Sequence, residues 1–123
     1  MVDGGSNSNT LYTYLVANSV FTPRQFSIIL KQLEGSGKPE NISSGAYYRQ
    51  VKQCRKKVFS VLYSMTLLQS MGIVQPEALA TLSKLAEQLT VIFASESSDT
   101  LSRLNVDRVI SVINEVAKRV SKL

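Results

Sequence analysis

The chain has no histidine, no tryptophan and a single cysteine, Cys54. Without histidine, the commonest general base and metal ligand is missing, and the acids stand singly rather than in a cluster. No Gly-rich phosphate loop and no metal-ligand spacing appears. These absences argue against an enzyme, and no cofactor or metal is expected. One cysteine allows no internal disulfide framework and suits a reducing, intracellular setting. Strand signals are missing too: no Val/Ile/Thr alternation is long enough for a strand, although Ile73 and Val74 leave room for a very short wing. The N-terminal MVDGGSNSN is polar and carries no signal pattern. The most telling gap is one of sign. Between Glu40 and Glu77 there is no acid, while Arg49, Lys52, Arg55, Lys56 and Lys57 all fall there.

What is present fits one all-α domain. A chain of 123 residues, 44% hydrophobic, can bury a real core. Its net charge is +5, with a pI near 9.5. Outside the acid-free window, nine basic residues balance nine acidic ones, so the whole excess lies in one stretch. About five helices are expected: a flexible tail at 1–9, a helix-turn-helix part at 10–74 with a long central helix, and a C-terminal helical hairpin at 76–123.

In chain order, a short helix is expected over Thr10 to Ser19, with Leu11, Tyr14 and Leu15 inward. Phe21-Thr22-Pro23-Arg24-Gln25-Phe26 is a sharp start signal, with Thr22 as N-cap, Pro23 in the first position and Gln25 closing a capping box. Phe21 and Phe26 fit a hydrophobic staple. Phe26, Ile29, Leu30 and Leu33 mark that helix's inner face, and Gly35 ends it. Gly35 to Asn41 is a polar link. Ser43 or Ser44 then caps a long helix that Gly72 closes.

That long helix has two unlike halves. Tyr47, Val51, Cys54, Val58, Leu62 and Met65 fall on one line, and Arg49, Lys52, Gln53, Lys56 and Ser60 lie opposite. From Val58 to Met71 there is no charge, so this half is expected to be buried on several sides. Its Ser60, Ser64, Thr66, Gln69, Ser70 and Gly72 argue for a buried helix rather than a membrane span. Pro76 at a first helical position opens the next helix, with Leu79, Leu82, Leu85, Ala86, Leu89 and Phe93 as its stripe. Ser95 to Asp99 is a turn. The last helix shows Val106, Val109, Ile113, Val116, Val120 and Leu123 at alternating three- and four-residue steps.

A run of cations without acids is the footprint of a polyanion partner, because ordinary solvated faces mix signs. Arg49, Lys52, Lys56 and Lys57 suit phosphates, while Arg49, Gln50 and Gln53 suit base edges, since Arg pairs with guanine and Gln with adenine. Ser44 offers a hydroxyl and open N–H groups at the helix start. Tyr48 points sideways as a sugar or phosphate contact, whereas Tyr47 belongs to the apolar line.

FTPRQFSIILKQL, a loop and SSGAYYRQVKQCRKKV together resemble the two helices of a helix-turn-helix unit. TPRQ at a helix start is similar to the opening of that unit in response-regulator and sigma-factor DNA-binding domains, and residues 20 to 74 resemble small archaeal helix-turn-helix proteins. The resemblance implies Phe26 to Leu33 as the positioning helix and Ser44 to Lys57 as the reading helix. The link of seven or eight residues is longer than the usual turn.

The expected function is therefore DNA binding, as a transcription regulator or chromatin-associated factor in the cytoplasm or nucleoid. Alternatives are an RNA-binding protein, or a helical accessory subunit whose basic face meets an acidic protein. Val106, Val109, Ile110, Ile113, Val116 and Val120 either close the core or pair two chains into a homodimer, which would set two basic helices on one duplex.

Overall fold

The computed structural model describes residues 6–35, 37–94 and 106–123. Five helices are present among them: α1 (Ser6–Ala17), α2 (Pro23–Glu34), α3 (Ser44–Ser70), α4 (Ala78–Ala94) and α5 (Val106–Val120). The class is all-α. The expected turn at Ser95 to Asp99 lies outside the described residues, as do 1–5 of the expected tail; residues 6–9 belong to α1. Contacts gather the chain into two compact units, Thr13–Met65 and a second made of Met1–Tyr12 with Thr66–Leu123. The division falls inside α3, upstream of the boundary after Val74 that the sequence suggests.

In the Thr13–Met65 unit, local chemistry fixes where α2 starts. Thr22 accepts from the Gln25 N–H at 3.1 Å, and the Gln25 side chain accepts from the Thr22 N–H at 3.0 Å. This reciprocal box satisfies two helix-end donors that the helix itself leaves open. The Phe21 and Phe26 rings meet edge-on at 5.7 Å, closing the staple. Gly35 ends α2 at φ 75, the left-handed conformation that glycine adopts without a Cβ penalty. Ser43, not Ser44, caps α3, accepting from the Ala46 N–H at 3.2 Å.

The core of this unit joins Ile28 of α2 to Tyr47, Val51 and Cys54 of α3, with Ile29 and Ile42 against it. The i, i+4, i+7 line through α3 therefore holds for its first three members. On α2 the inward face differs from the expected one. Ile28 is the buried residue, while Leu30 and Leu33 are exposed. The helix is rotated so that the Ile28–Ile29 edge meets α3, and Leu33 borders that contact while staying open to solvent.

The second unit packs Val74, Ala78, Val116 and Val120 together, with Leu68, Leu82 and Leu85 around them. Ala78 is wholly buried, so α4 and α5 approach closely at that point. The chain enters α4 through a turn at Pro76 and Glu77 rather than with Pro76 as its first residue. Leu79 is exposed, and the inward stripe runs Ala78, Leu82, Leu85, Leu89. Gly72 ends α3 at φ 77, with the Ile73 N–H reaching Leu68 O at 2.9 Å and the Gly72 N–H reaching Gln69 O at 3.1 Å. That 6→1 and 5→2 pair is a Schellman end. Just beyond it, Val74 forms a lone antiparallel bridge to Ser121, held by Gln75 N–H to Val120 O (2.9 Å) and Lys122 N–H to Ile73 O (2.8 Å). The room for a wing at Ile73 and Val74 is used for this single bridge.

Two expectations are corrected here. Val116 and Val120 are buried within this chain's own core, so that end of the α5 seam is not a free dimer surface; Val106, Val109, Ile110 and Ile113 are half-buried, and Leu123 is fully exposed. The larger correction concerns α3. Its second half is not buried on several sides: Phe59, Leu62, Tyr63 and Leu67 are exposed, as is Met71 just past the helix end, and Val58 is partly exposed. Val61, Met65, Leu68 and Gln69 are half-buried there. Apolar identity signals what a residue tolerates, and leaves open whether a neighbour covers it.

Candidate nucleic-acid interface

The first half of α3 is positioned by the packing just described. Tyr47, Val51 and Cys54 are pulled toward Ile28, and the Tyr47 hydroxyl donates to Gln32 Oε1 at 3.0 Å. Burying that stripe fixes the rotation of the helix and sends the opposite arc outward. Arg49, Lys52, Gln53, Arg55 and Lys56 are all exposed, and so is Tyr48, with 75% of its surface accessible. At 100° per residue these six span an arc of roughly 160°. From Tyr48 to Lys56 the face runs about 12 Å along the axis.

None of Arg49, Lys52, Arg55 and Lys56 makes a side-chain hydrogen bond or ion pair among the described residues. Four cations thus stand on one face, with no acid in the whole helix to compensate them. Tyr48, Arg49, Lys52 and Arg55 line one shallow concavity of about 330 Å³. Arg55 belongs to this exposed face, although the contact surface expected from the sequence omits it. Its spacing, i+7 from Tyr48 and i+3 from Lys52, carries the signal. Arg24 and Lys31 of α2 line a second concavity of about 330 Å³ with Asn41 and Gln50.

Two expected contact residues are placed elsewhere. Gln50 is half-buried on the side facing Ile28, Lys31 and Ile42, so it does not share the exposed arc. Lys57 is turned inward: its Nζ donates to Val20 O at 2.6 Å and to Gln25 Oε1 at 2.9 Å. Gln25 Oε1 thereby accepts from both Thr22 and Lys57. Lys57 locks the capping box of α2 and leaves the cationic face. Ser44 is exposed beside the cap, and its N–H and that of Gly45 meet no protein acceptor among the described residues.

Cys54 is 3% exposed, with its Sγ 3.5 Å from Gln25 O. Burial pushes its thiol above the ordinary value, and the Lys57 charge draws it part of the way back. A thiol held neutral is a packing residue rather than a nucleophile. Among the described residues, no group of three or more acids or cysteines is placed to hold a metal ion, and no helix is long and apolar enough to cross a membrane. Comparison with protein-family models, curated proteins and solved structures finds no match.

Proposed function

We propose that the Thr13–Met65 unit binds double-stranded DNA through the exposed first half of α3, as a regulator of transcription or a chromatin-associated factor. The observation that carries this reading is the face of Arg49, Lys52, Arg55 and Lys56, uncompensated by acid and rigidly presented by the buried Tyr47–Val51–Cys54 stripe. Recognition helices place their N-terminal residues against the bases, and these residues occupy the first four turns of α3. Arg49 and Gln53, neighbours at i and i+4, take the base edges. Lys52, Arg55 and Lys56 take phosphates, and Tyr48 meets the sugar-phosphate backbone. Arg24 and Lys31 on α2 add cations on the helix that would position α3.

The test is a fluorescence-anisotropy titration of the full chain against random-sequence duplex DNA, with duplex RNA as competitor. Saturable DNA binding that RNA displaces poorly supports the reading. Preferential binding of RNA turns it toward an RNA-binding protein, because backbone charge alone does not choose between the two helices.

A further inference from the structure

A second feature of the same unit lies beside the cationic face. Between α2 and α3 runs an apolar groove of about 220 Å³, lined by Ile28, Ile29, Leu33, Val51, Cys54, Val58 and Phe59, with Gln32 and Arg55 at its edge. Its floor is core: Ile28, Val51 and Cys54 are buried. Its lips are not, since Leu33 is 79% exposed and Phe59 49%. We infer that this groove docks an acidic amphipathic helix of a protein partner, whose apolar side chains fill the groove while its carboxylates face Arg55 and the cations around it.

Size, length and charge each narrow the occupant. The volume is below the roughly 300–1,000 Å³ of small-molecule sites, and the lining offers only Gln32 and Arg55 as polar groups. From Val51 to Phe59 the groove follows α3 for about 12 Å, which matches the two turns separating i and i+7 on a docked helix. Nucleic acid brings no aliphatic side chains to such a floor. The unit carries eight Lys/Arg and two Glu (Glu34 and Glu40), so an acidic helix is attracted and a basic one repelled. The same excess disfavours a second copy of this unit in the groove. Leu33 and Val58 lie off the Arg49–Lys52–Lys56 face, whereas Arg55 and Phe59 continue it along α3; a neutral change at Leu33 or Phe59 removes no cation, so the groove and the duplex contact are tested separately.

The test uses two synthetic 18-residue helical peptides with leucine at i, i+4 and i+7, one with glutamate at the remaining exposed positions and the other with lysine there. The glutamate peptide is expected to bind the full chain at least ~10-fold more tightly, with amide shifts at Leu33, Val58 and Phe59. Leu33→Ser and Phe59→Ser each cost it ~10-fold or more, while the circular dichroism of the protein is unchanged and duplex binding is retained. Equal affinity for both peptides, or binding indifferent to both substitutions, overturns the inference. So does a dimer in light scattering that Phe59→Ser dissociates, or phosphatidylserine-vesicle binding lost in Leu33→Ser, since a second copy or a lipid surface would then be the occupant.

Discussion

The two halves of α3 have the same backbone and opposite chemistry on their open side. From Tyr48 to Lys56 that side is cationic, and from Phe59 to Leu67 it is apolar. The sequence assigns the first half to solvent and the second to the interior, and only the first assignment holds. The asymmetry is physical. A charge taken from water without a partner costs several kcal/mol, so four uncompensated cations have nowhere to go but outward. An apolar side chain left in water costs far less, and more than half of a folded protein's surface is apolar in any case. Charge therefore reports exposure, whereas hydrophobicity only permits burial.

The largest effect expected from this contrast is on DNA affinity. Arg49→Glu, Lys52→Glu and Lys56→Glu together should lower duplex affinity by at least ~1,000-fold with the helical circular dichroism intact. Tyr63→Ala on the apolar half should leave it within ~3-fold, because no phosphate contact is lost. Comparable losses from both would erase the distinction between the halves.

Stability should show the reverse order. Tyr47→Ala removes a buried ring and its hydrogen bond to Gln32, and should cost about 3 kcal/mol in urea denaturation. Tyr63→Ala, at a position 72% exposed, should cost under ~0.5 kcal/mol. A large cost at Tyr63 would mean that its face is covered in solution.

Next comes the division between Lys56 and Lys57, adjacent in sequence and unlike in role. Lys57→Met loses the bonds to Val20 and Gln25 and should destabilise by about 1 kcal/mol. Lys56→Met should be neutral in denaturation and should weaken DNA binding instead. Identical behaviour would remove the assignment of Lys57 to the fold.

The smallest effect is in pH. The folded chain holds the Cys54 proton more tightly than the unfolded chain, whose thiol titrates near 9.0. Its contribution is thus fully present below that value and is lost as pH rises through the higher folded one. Denaturation midpoints should decline with pH above about 9 more steeply in the parent chain than in Cys54→Ala. Parallel profiles would show that burial does not shift this group.

Much of the fold was legible where the chemistry is local. Thr22, Pro23 and Gln25 announce α2 because a capping box closes within four residues, and Gly35 and Gly72 mark ends that need a left-handed residue. The Tyr47–Val51–Cys54 stripe follows from helical period alone. What stayed hidden depends on distant neighbours. Lys57 flanks the buried stripe, but its partner Val20 lies thirty-seven residues away and nothing local announces it. Leu33 reads as a core leucine until the rotation of α2 against α3 is known. Val116 and Val120 were open to either core or interface, and the pairing with Val74 and Ala78 settles them as core. In the candidate site, Arg49, Lys52, Gln53, Lys56 and Tyr48 were readable from charge and period, while Gln50 falls about 60° outside that arc, toward Ile28 and Ile42.

The proposed DNA binding rests on the cations of α3 meeting phosphates. Duplex affinity measured from 50 to 200 mM salt puts that to the test. With Lys52, Arg55 and Lys56 on phosphates, log K should fall with log salt at a slope near −2.7, a loss of about 40-fold over that range. A slope near zero would contradict it.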